Sequence, residues 1–218
     1  AVVVPVGPEF KVNDTGTRVF TLVDVATTPD AGFVIVFGAR ERSGARDIYI
    51  RGRRFGPRAQ PLGSDFRVDS NRPADLHGSC CPVVATDGSG NFAVAWAWDD
   101  QQVLFRRFNA DGNRLGVERD VNPEVKGAAG TPDVAMWPDG AFVVVWDGGS
   151  TLKSRRFDAA GRPLTEASLI NSDHGGYDFS PHVARRADGG FVSVWSNFEY
   201  GVAARNIGRI YDSDGRAR

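Results

Sequence analysis

Four stretches of this sequence resemble one another closely enough to constrain the fold more than any other feature does. Each has an apolar run, a turn rich in aspartate and glycine, and a second apolar run with an aromatic residue near its end: VDVATTPDAGFVIVFGAR, PVVATDGSGNFAVAWAWD, PDVAMWPDGAFVVVWDGG and PHVARRADGGFVSVWSNF. The aromatic landmarks Phe37, Trp96, Trp146 and Trp195 recur with a period of roughly 50 to 60 residues. A repeat of this length indicates similar units that pack against one another.

Each unit is predicted to form four strands. The Asp-Gly turn supplies the positive φ that a tight hairpin requires. The run AFVVVW is apolar on both faces, which predicts a strand buried between two layers. LKSRRF mixes charged and apolar residues as a half-exposed strand does, and a short fourth strand follows the turn DAAGR. Four-stranded units that cannot bury both faces alone are typical of a β-propeller.

We therefore predict an all-β fold, a four-bladed β-propeller formed by the single domain 1–218. Its blades are expected at about 14–70, 71–122, 123–171 and 172–218. The fourth unit lacks a closing strand, whereas PEFKVN near the N-terminus matches DFRVDS at the end of the first unit. Because a closed ring leaves no sheet edge open, residues 1–13 are expected to complete the fourth blade. Two chains in one larger ring are the alternative, and a three-unit β-trefoil is disfavoured by the count.

The sequence resembles the propeller-type repeats, about 50 residues long, that occur in large secreted bacterial proteins. The resemblance lies in the pattern DGGFVVVW followed by RRFDA and a glycine. The resemblance covers essentially the whole chain. It implies the propeller architecture, and it assigns no catalytic residue because such repeats have many roles.

Composition limits the partners of the chain. Its 218 residues have a formal net charge of −1, which gives no general attraction to nucleic acid or to anionic membranes. No apolar run approaches the ~20 residues that a membrane-spanning helix needs. The sequence starts at Ala1 without an initiator methionine or a signal peptide, and we expect a mature exported form that is secreted or periplasmic.

The candidate site lies on one rim of the predicted propeller. Two sets of loops are expected at this rim: those that lead from the fourth strand of one unit to the first strand of the next, and those that join the second and third strands of a unit. The sequences of these loops differ between units, whereas the strand sequences repeat. The aromatic residues there are expected to stack on a sugar or anchor a partner protein, and the aspartates to accept hydroxyl hydrogens. The predicted ligand-binding residues are His77, Trp98, Asp99, Asp147, His174, Tyr177, Asp178 and Tyr200.

The main functional prediction is a non-catalytic exported module that recognises a glycan or a partner protein, either alone or as a subunit of a larger extracytoplasmic complex. The alternative is a hydrolase or lyase acting on polysaccharide, with carboxylates at the central channel. No nucleophile motif, phosphate loop or metal-ligand spacing is evident, and neither a cofactor nor a metal ion is predicted. Convergence of His77, His174 and His182 on a metal is the less favoured interpretation, and the oligomeric state is left open.

Cys80 and Cys81 are the only cysteines and lie side by side in the loop that enters the second unit. Adjacent Cα atoms are only ~3.8 Å apart, which is shorter than the usual span of a disulfide. A vicinal bond would form a strained ring, and in an exported protein we expect that bond. A reduced pair and a soft-metal or redox site are the alternatives.

Mass spectrometry distinguishes these states. If Cys80 and Cys81 are bonded, iodoacetamide should add no alkyl group to the intact protein when no reductant is present. After reduction, iodoacetamide should add two alkyl groups. Alkylation of both thiols before reduction would contradict the vicinal bond.

Overall fold

The chain forms β-sheets and turns. The structure is a computed structural model that describes residues 7–14, 18–40, 48–70, 79–99, 102–123, 130–149, 151–172 and 176–218. No α-helix occurs in these ranges, and therefore they contain no helix long and apolar enough to cross a membrane.

Fifteen strands in the described residues form four antiparallel sheets in chain order. Sheet I contains β1 (Arg18–Thr27), β2 (Phe33–Arg40), β3 (Ile48–Phe55) and β4 (Phe66–Arg67). Sheet II contains β5 (Ser79–Thr86), β6 (Phe92–Trp98), β7 (Gln102–Phe108) and β8 (Arg119–Asp120). Sheet III contains β9 (Pro132–Met136), β10 (Phe142–Asp147), β11 (Leu152–Phe157) and β12 (Ser168–Leu169). Sheet IV contains β13 (Tyr177–Arg185), β14 (Phe191–Phe198) and β15 (Arg205–Tyr211).

The sheets follow one another around a central channel lined by their first strands. β1 packs against β5, β5 against β9, and β9 against β13. The second strands of sheets I to III are buried along nearly their whole length, as their two-sided apolar pattern predicts. This arrangement is a β-propeller, and the predicted all-β propeller architecture is confirmed.

A stacked pair of aromatic rings lies at the same place in every sheet. Directly opposite residues on the second and third strands supply the two rings, whose centroids are 4.4 to 5.2 Å apart. The pairs are Phe33–Phe55, Phe92–Phe108, Phe142–Phe157 and Phe191–Tyr211. We call the packing contact between two successive sheets a joint. In the joint between sheets I and II, Phe66 of sheet I packs on the Phe92–Phe108 pair of sheet II. Apolar clusters connect the successive sheets in the same way, so each sheet buries a face only by packing on its neighbour.

A repeated arginine contact reinforces each joint. Arginines at equivalent positions of the four third strands, Arg53, Arg106, Arg155 and Arg209, each donate a hydrogen bond to one backbone carbonyl. The acceptors are the carbonyls of Val12, Val68, Val121 and Ile170, respectively. The last three acceptors lie at the end of the preceding sheet, directly after its short fourth strand. Val12 therefore occupies the position of a preceding sheet's fourth strand.

Residues 7–13 do not complete the fourth blade, in contrast to the prediction for residues 1–13, of which residues 1–6 lie outside the described residues. Residues 7–14 contain no strand, and Phe10 packs on the Phe33–Phe55 pair of sheet I. Sheet IV has three strands in the described residues, and β13 shows no packing on β1 comparable with that between the other first strands. The segment instead lies against sheet I, where the Val12 carbonyl accepts the Arg53 hydrogen bond. The repeat pattern does not reveal that β1 and β13 lack the packing seen between the other first strands.

The turns at 109–113 and 212–216 are held by their own side chains. The Asp212 carboxylate accepts hydrogen bonds from the backbone N–H groups of Asp214 and Arg216, and Asn109 holds the NADGN turn in the same way. These side chains therefore satisfy the turn backbone, which is their usual role at such positions.

Replacement of Phe142 by alanine tests the aromatic joint. Phe142 is fully buried and touches Phe105 of the neighbouring sheet, so the cavity should lower the free energy of unfolding by about 3–5 kcal/mol in denaturant titration. Leu169→Ala, at an exposed position of the same sheet, is the control and should change it by less than about 0.5 kcal/mol. Equal effects of the two substitutions would contradict the proposed importance of the joint.

Candidate functional site

Three polar side chains lie at equivalent positions of the channel-lining strands. Asp24 lies on β1, Asp133 on β9 and His182 on β13, and the equivalent residue of β5 is Val83. We call Asp24, Asp133 and His182 the channel cluster. The prediction of ligand-binding residues missed this cluster, although aligning VDVA, PVVA, PDVA and PHVA places its members in a single column.

Backbone hydrogen bonds hold both carboxylates of the channel cluster. Asp24 Oδ2 accepts a hydrogen bond of 2.8 Å from the Val84 N–H of the next sheet. Asp133 Oδ2 accepts one of 2.8 Å from the Val183 N–H, also of the next sheet. The Val134 N–H donates to Asp133 Oδ1. The carboxylates therefore connect neighbouring first strands and have fixed orientations in the channel.

The groups around Asp133 shift the pKa of its carboxyl group. Burial raises the pKa of Asp133 above its ordinary value, and the negative charge of Asp24 raises it further. Hydrogen bonds from the Val183 and Val134 backbones and the nearby His182 lower the pKa in part. The Asp133 side chain retains a fifth of its surface in solvent, and His182 Nδ1 lies 3.5 Å from its Oδ2. Asp133 thus has a raised pKa, to which burial contributes most and the charge of Asp24 adds.

The predicted aspartates of the rim lie at the ends of strands. Asp147 ends β10, where its Oδ1 accepts a hydrogen bond from the Gly149 N–H, and burial raises its pKa. Asp99 directly follows β6, is buried, and has a positive φ of 54°. Asp178 is also buried, and its two carboxylate oxygens accept hydrogen bonds from the side-chain amides of Asn171 and Asn197. The structure gives Asp178 a role in joining sheets III and IV.

The predicted aromatic residues differ in exposure. Tyr200, in the turn between β14 and β15, is 95% exposed, and Tyr177, the first residue of β13, is 67% exposed. Trp98 is half-buried and packs on the apolar cluster between sheets I and II. His77 and His174 lie outside the described residues. The structure therefore presents the two tyrosines to solvent and uses much of the Trp98 ring for packing.

Cys80 and Cys81 occupy β5, with Cys81 at a positive φ of 56° beside a break in the regular pairing of β5 with β6. The structure contains both residues as half-buried thiols, and the vicinal bond stays a prediction. In the parts of the chain that the structure describes, no three His, Cys, Asp or Glu side chains are grouped to hold a metal ion.

A cavity of about 210 Å³ lies at the opposite rim, between the hairpins of sheets I and II. Its lining includes Asp30, Arg54 and Ser89. The Asp30 carboxylate accepts a hydrogen bond from the Thr28 hydroxyl and is occupied in holding its own turn. The channel cluster, which combines an elevated carboxyl pKa with a partner carboxylate, therefore has the more reactive chemistry.

Comparison with known proteins identifies the fold. No family model and no curated protein matches the sequence. Among solved structures, the chain is similar to a GH43 endo-arabinanase from Bacillus licheniformis, with 13% identity and a TM-score of 0.52 over 89% of this chain and 75% of that one. It is also similar to the catalytic domain of a Coprinopsis cinerea GH62 α-L-arabinofuranosidase, with 9% identity and a TM-score of 0.56 over 97% and 70% of the two chains. A GH130 glycoside hydrolase that targets β-1,2 mannosidic linkages in Candida mannan matches with 9% identity and a TM-score of 0.56 over 95% and 70%.

The comparison corrects the main functional prediction. The non-catalytic binding module is wrong, because the matching structures are glycoside hydrolases, in agreement with the alternative prediction. The repeats in the sequence indicated the propeller, but they did not indicate which side chains of different repeats interact, because these become neighbours only when the sheets pack together.

The coupling within the channel cluster gives a measurable prediction. Removing the negative charge of Asp24 with Asp24→Asn should lower the pKa of Asp133 towards its ordinary value, because that charge raises it. NMR titration of the labelled aspartate carboxyl groups measures the shift. Asp188→Asn, at an exposed hairpin, is the control. An Asp133 pKa that is unchanged by Asp24→Asn would show that the two carboxylates do not interact.

Proposed function

We propose that this chain is a glycan-active hydrolase that uses the carboxylates of its central channel. The observation that carries the proposal is the Asp24–Asp133 pair, in which burial and a neighbouring charge favour protonation of one member. The propeller resembles several glycoside hydrolases, which supports this reaction class by analogy of fold.

Asp133 is proposed as the general acid. Glycosidic bond cleavage generally uses two carboxyl groups, one of which remains protonated to donate a proton to the leaving oxygen. The raised pKa of Asp133 suits it to that role. Its backbone hydrogen bonds fix its position, and its partly exposed side chain is accessible to a sugar in the channel.

Asp24 is proposed as the second carboxylate. It acts either as the nucleophile or as the base that activates water, and the spacing of the two carboxyl groups across the bound sugar determines which. His182 lies beside Asp133 and is mostly exposed. When protonated, His182 lowers the pKa of Asp133, and it therefore tunes the acid without itself transferring the proton.

The rim residues are proposed to hold the polysaccharide outside the reacting bond. Tyr177 and Tyr200 offer exposed rings to a sugar face, and Asp147 offers a carboxylate to its hydroxyl groups. Trp98, Asp99, His77 and His174 are the remaining proposed contacts, whereas the hydrogen bonds of Asp178 indicate a positioning role. A polymeric substrate fits the proposed location outside the cytoplasm, either secreted or periplasmic.

A polysaccharide screen with substitution of each channel carboxylate tests the reaction. Asp133→Asn and Asp24→Asn should each lower kcat at least about a hundredfold on any substrate that the unmodified chain cleaves, because each removes one acid–base partner. Asp188→Asn is the matched control and should leave kcat unchanged. Full activity in both channel variants, or binding without turnover of every glycan tested, would contradict the proposal.

The pH dependence identifies the acid. A general acid works only while it is protonated, so kcat should fall as the pH rises through the pKa of Asp133, and this fall should occur above the range of an ordinary aspartate. The residual activity of Asp133→Asn should lack that alkaline fall. Persistence of the same alkaline fall in Asp133→Asn would assign the acid to another residue.

Substitution of Tyr200 by alanine tests the substrate contact. Loss of an exposed stacking ring should raise KM severalfold while kcat changes little, because the ring touches the sugar without taking part in the reaction. Tyr200→Phe, which retains the ring, should restore KM. A change in kcat alone would argue against a binding role for Tyr200.

A further inference from the structure

The cavity between the hairpins of sheets I and II has both apolar and polar walls. Phe33, Val34 and Phe55 of sheet I form apolar parts of its lining. Asp30 and Arg54 bring opposite charges to it. Its volume of about 210 Å³ exceeds the ~150 Å³ at which an engineered protein cavity accommodates a benzene ring. The cavity therefore has room for a ring-sized compound.

An aromatic side chain fills the corresponding space in the joint between sheets III and IV. Aligning TTPDAGF with MWPDGAF places Trp137 of sheet III at the position of Thr28 in sheet I. The third strands likewise place Arg156 at the position of Arg54. The Trp137 ring is buried among apolar residues of sheets III and IV. The Arg156 guanidinium lies over this ring, 5.0 Å from its centroid, in a cation–π contact.

A hydrogen bond fixes the Trp137 indole across its joint. The indole Nε1–H donates to the Arg186 carbonyl of sheet IV at 3.2 Å, and the same carbonyl accepts a hydrogen bond from the Gly189 N–H of its own turn. In sheet II the Asp87 carbonyl is equivalent to that of Arg186, and it accepts from the Gly90 N–H in the same way. Because a carbonyl oxygen has two lone pairs, Asp87 supplies the acceptor that corresponds to Arg186.

Sheet I retains the arginine but has a much smaller side chain in place of the indole. The Thr28 hydroxyl donates to the Asp30 carboxylate within its own turn. Arg54 lines the cavity, and its Nη1 donates a hydrogen bond of 2.5 Å to the Asp111 carbonyl of sheet II. This bond holds the guanidinium across the joint. The cavity thus has walls equivalent to those around Trp137, together with room for a ring.

We propose that this cavity binds a small neutral aromatic compound with a hydrogen-bond donor, such as an indole or a phenol. The ring stacks on the Arg54 guanidinium, and the donor group of the compound bonds to the Asp87 carbonyl or the Asp30 carboxylate. A neutral compound is favoured because Asp30 and Arg54 carry opposite charges. The proposal does not depend on the hydrolase activity, because no residue of the channel cluster lines this cavity.

Isothermal titration calorimetry with indole tests the site. One indole should bind to each unmodified chain. Thr28→Trp should abolish this binding, because the larger side chain fills the cavity as Trp137 fills its counterpart. Ala187→Trp, at an exposed position of the sheet IV hairpin, is the control and should bind indole as the unmodified chain does. A lack of indole binding to the unmodified chain, or undiminished binding to Thr28→Trp, would overturn the proposal.

Two further measurements examine the class of compound. Arg54→Met should weaken indole binding about two- to fivefold, because it removes the cation–π contact. Phenol should bind more tightly than cyclohexanol, which carries the same hydroxyl group on a ring of similar size that is not aromatic. Equal affinities for phenol and cyclohexanol, or unchanged indole binding in Arg54→Met, would contradict an aromatic site covered by arginine.

Removal of the ring from the other joint provides the converse test. Trp137→Thr should bind two indoles per chain, because it gives the joint between sheets III and IV the same space. Saturating indole should then raise the Tm of Trp137→Thr more than that of the unmodified chain, since binding to the folded state stabilises it. A single bound indole and an equal rise in Tm would show that the two spaces are not equivalent, which would remove the basis of the proposal.

Discussion

The structure depends on the joint between successive sheets. In each joint a stacked aromatic pair is covered by apolar side chains of the preceding sheet, and an arginine on the third strand binds a carbonyl at the end of that sheet. A single four-stranded sheet exposes too much apolar surface to be stable alone. Stability therefore comes from the contact between units. Where no sheet packs on a face among the described residues, as on the face of sheet IV that carries Val194 and Phe198, apolar surface remains in solvent.

The same joints create the chemistry of the channel. Because first strands pack side by side, a carboxylate on one strand reaches the backbone N–H of the next, as Asp24 and Asp133 do. These bonds support the fold and fix the orientation of the carboxylates. One repeated position thereby serves both structure and the proposed catalysis, and its variation among Asp, Val and His around the ring makes the channel asymmetric. That asymmetry distinguishes an acid from its partner carboxylate.

The rim shows how far variable loops can be interpreted from sequence. The exposure of Tyr200 was predictable, because an aromatic residue in a connection between strands has few apolar partners, and Tyr177 at the start of β13 is exposed as well. The contacts of Trp98 and Asp178 were not predictable. Trp98 packs on the apolar cluster between sheets I and II. Asp178 accepts hydrogen bonds from the side-chain amides of Asn171, which follows β12, and Asn197, which lies on β14. Loop composition does not specify these contacts.

The sequence by itself determined the strands, the turns and the repetition of the sheets, because these follow from local alternation, Asp-Gly turns and the spacing of aromatic residues. It also determined that residues 8–13 resemble a fourth strand. Only the tertiary structure decided that the channel carboxylates bind backbone N–H groups of the next sheet, and that β13 does not pack on β1 as the other first strands pack on one another. Both outcomes depend on how whole sheets pack together, which no single repeat encodes.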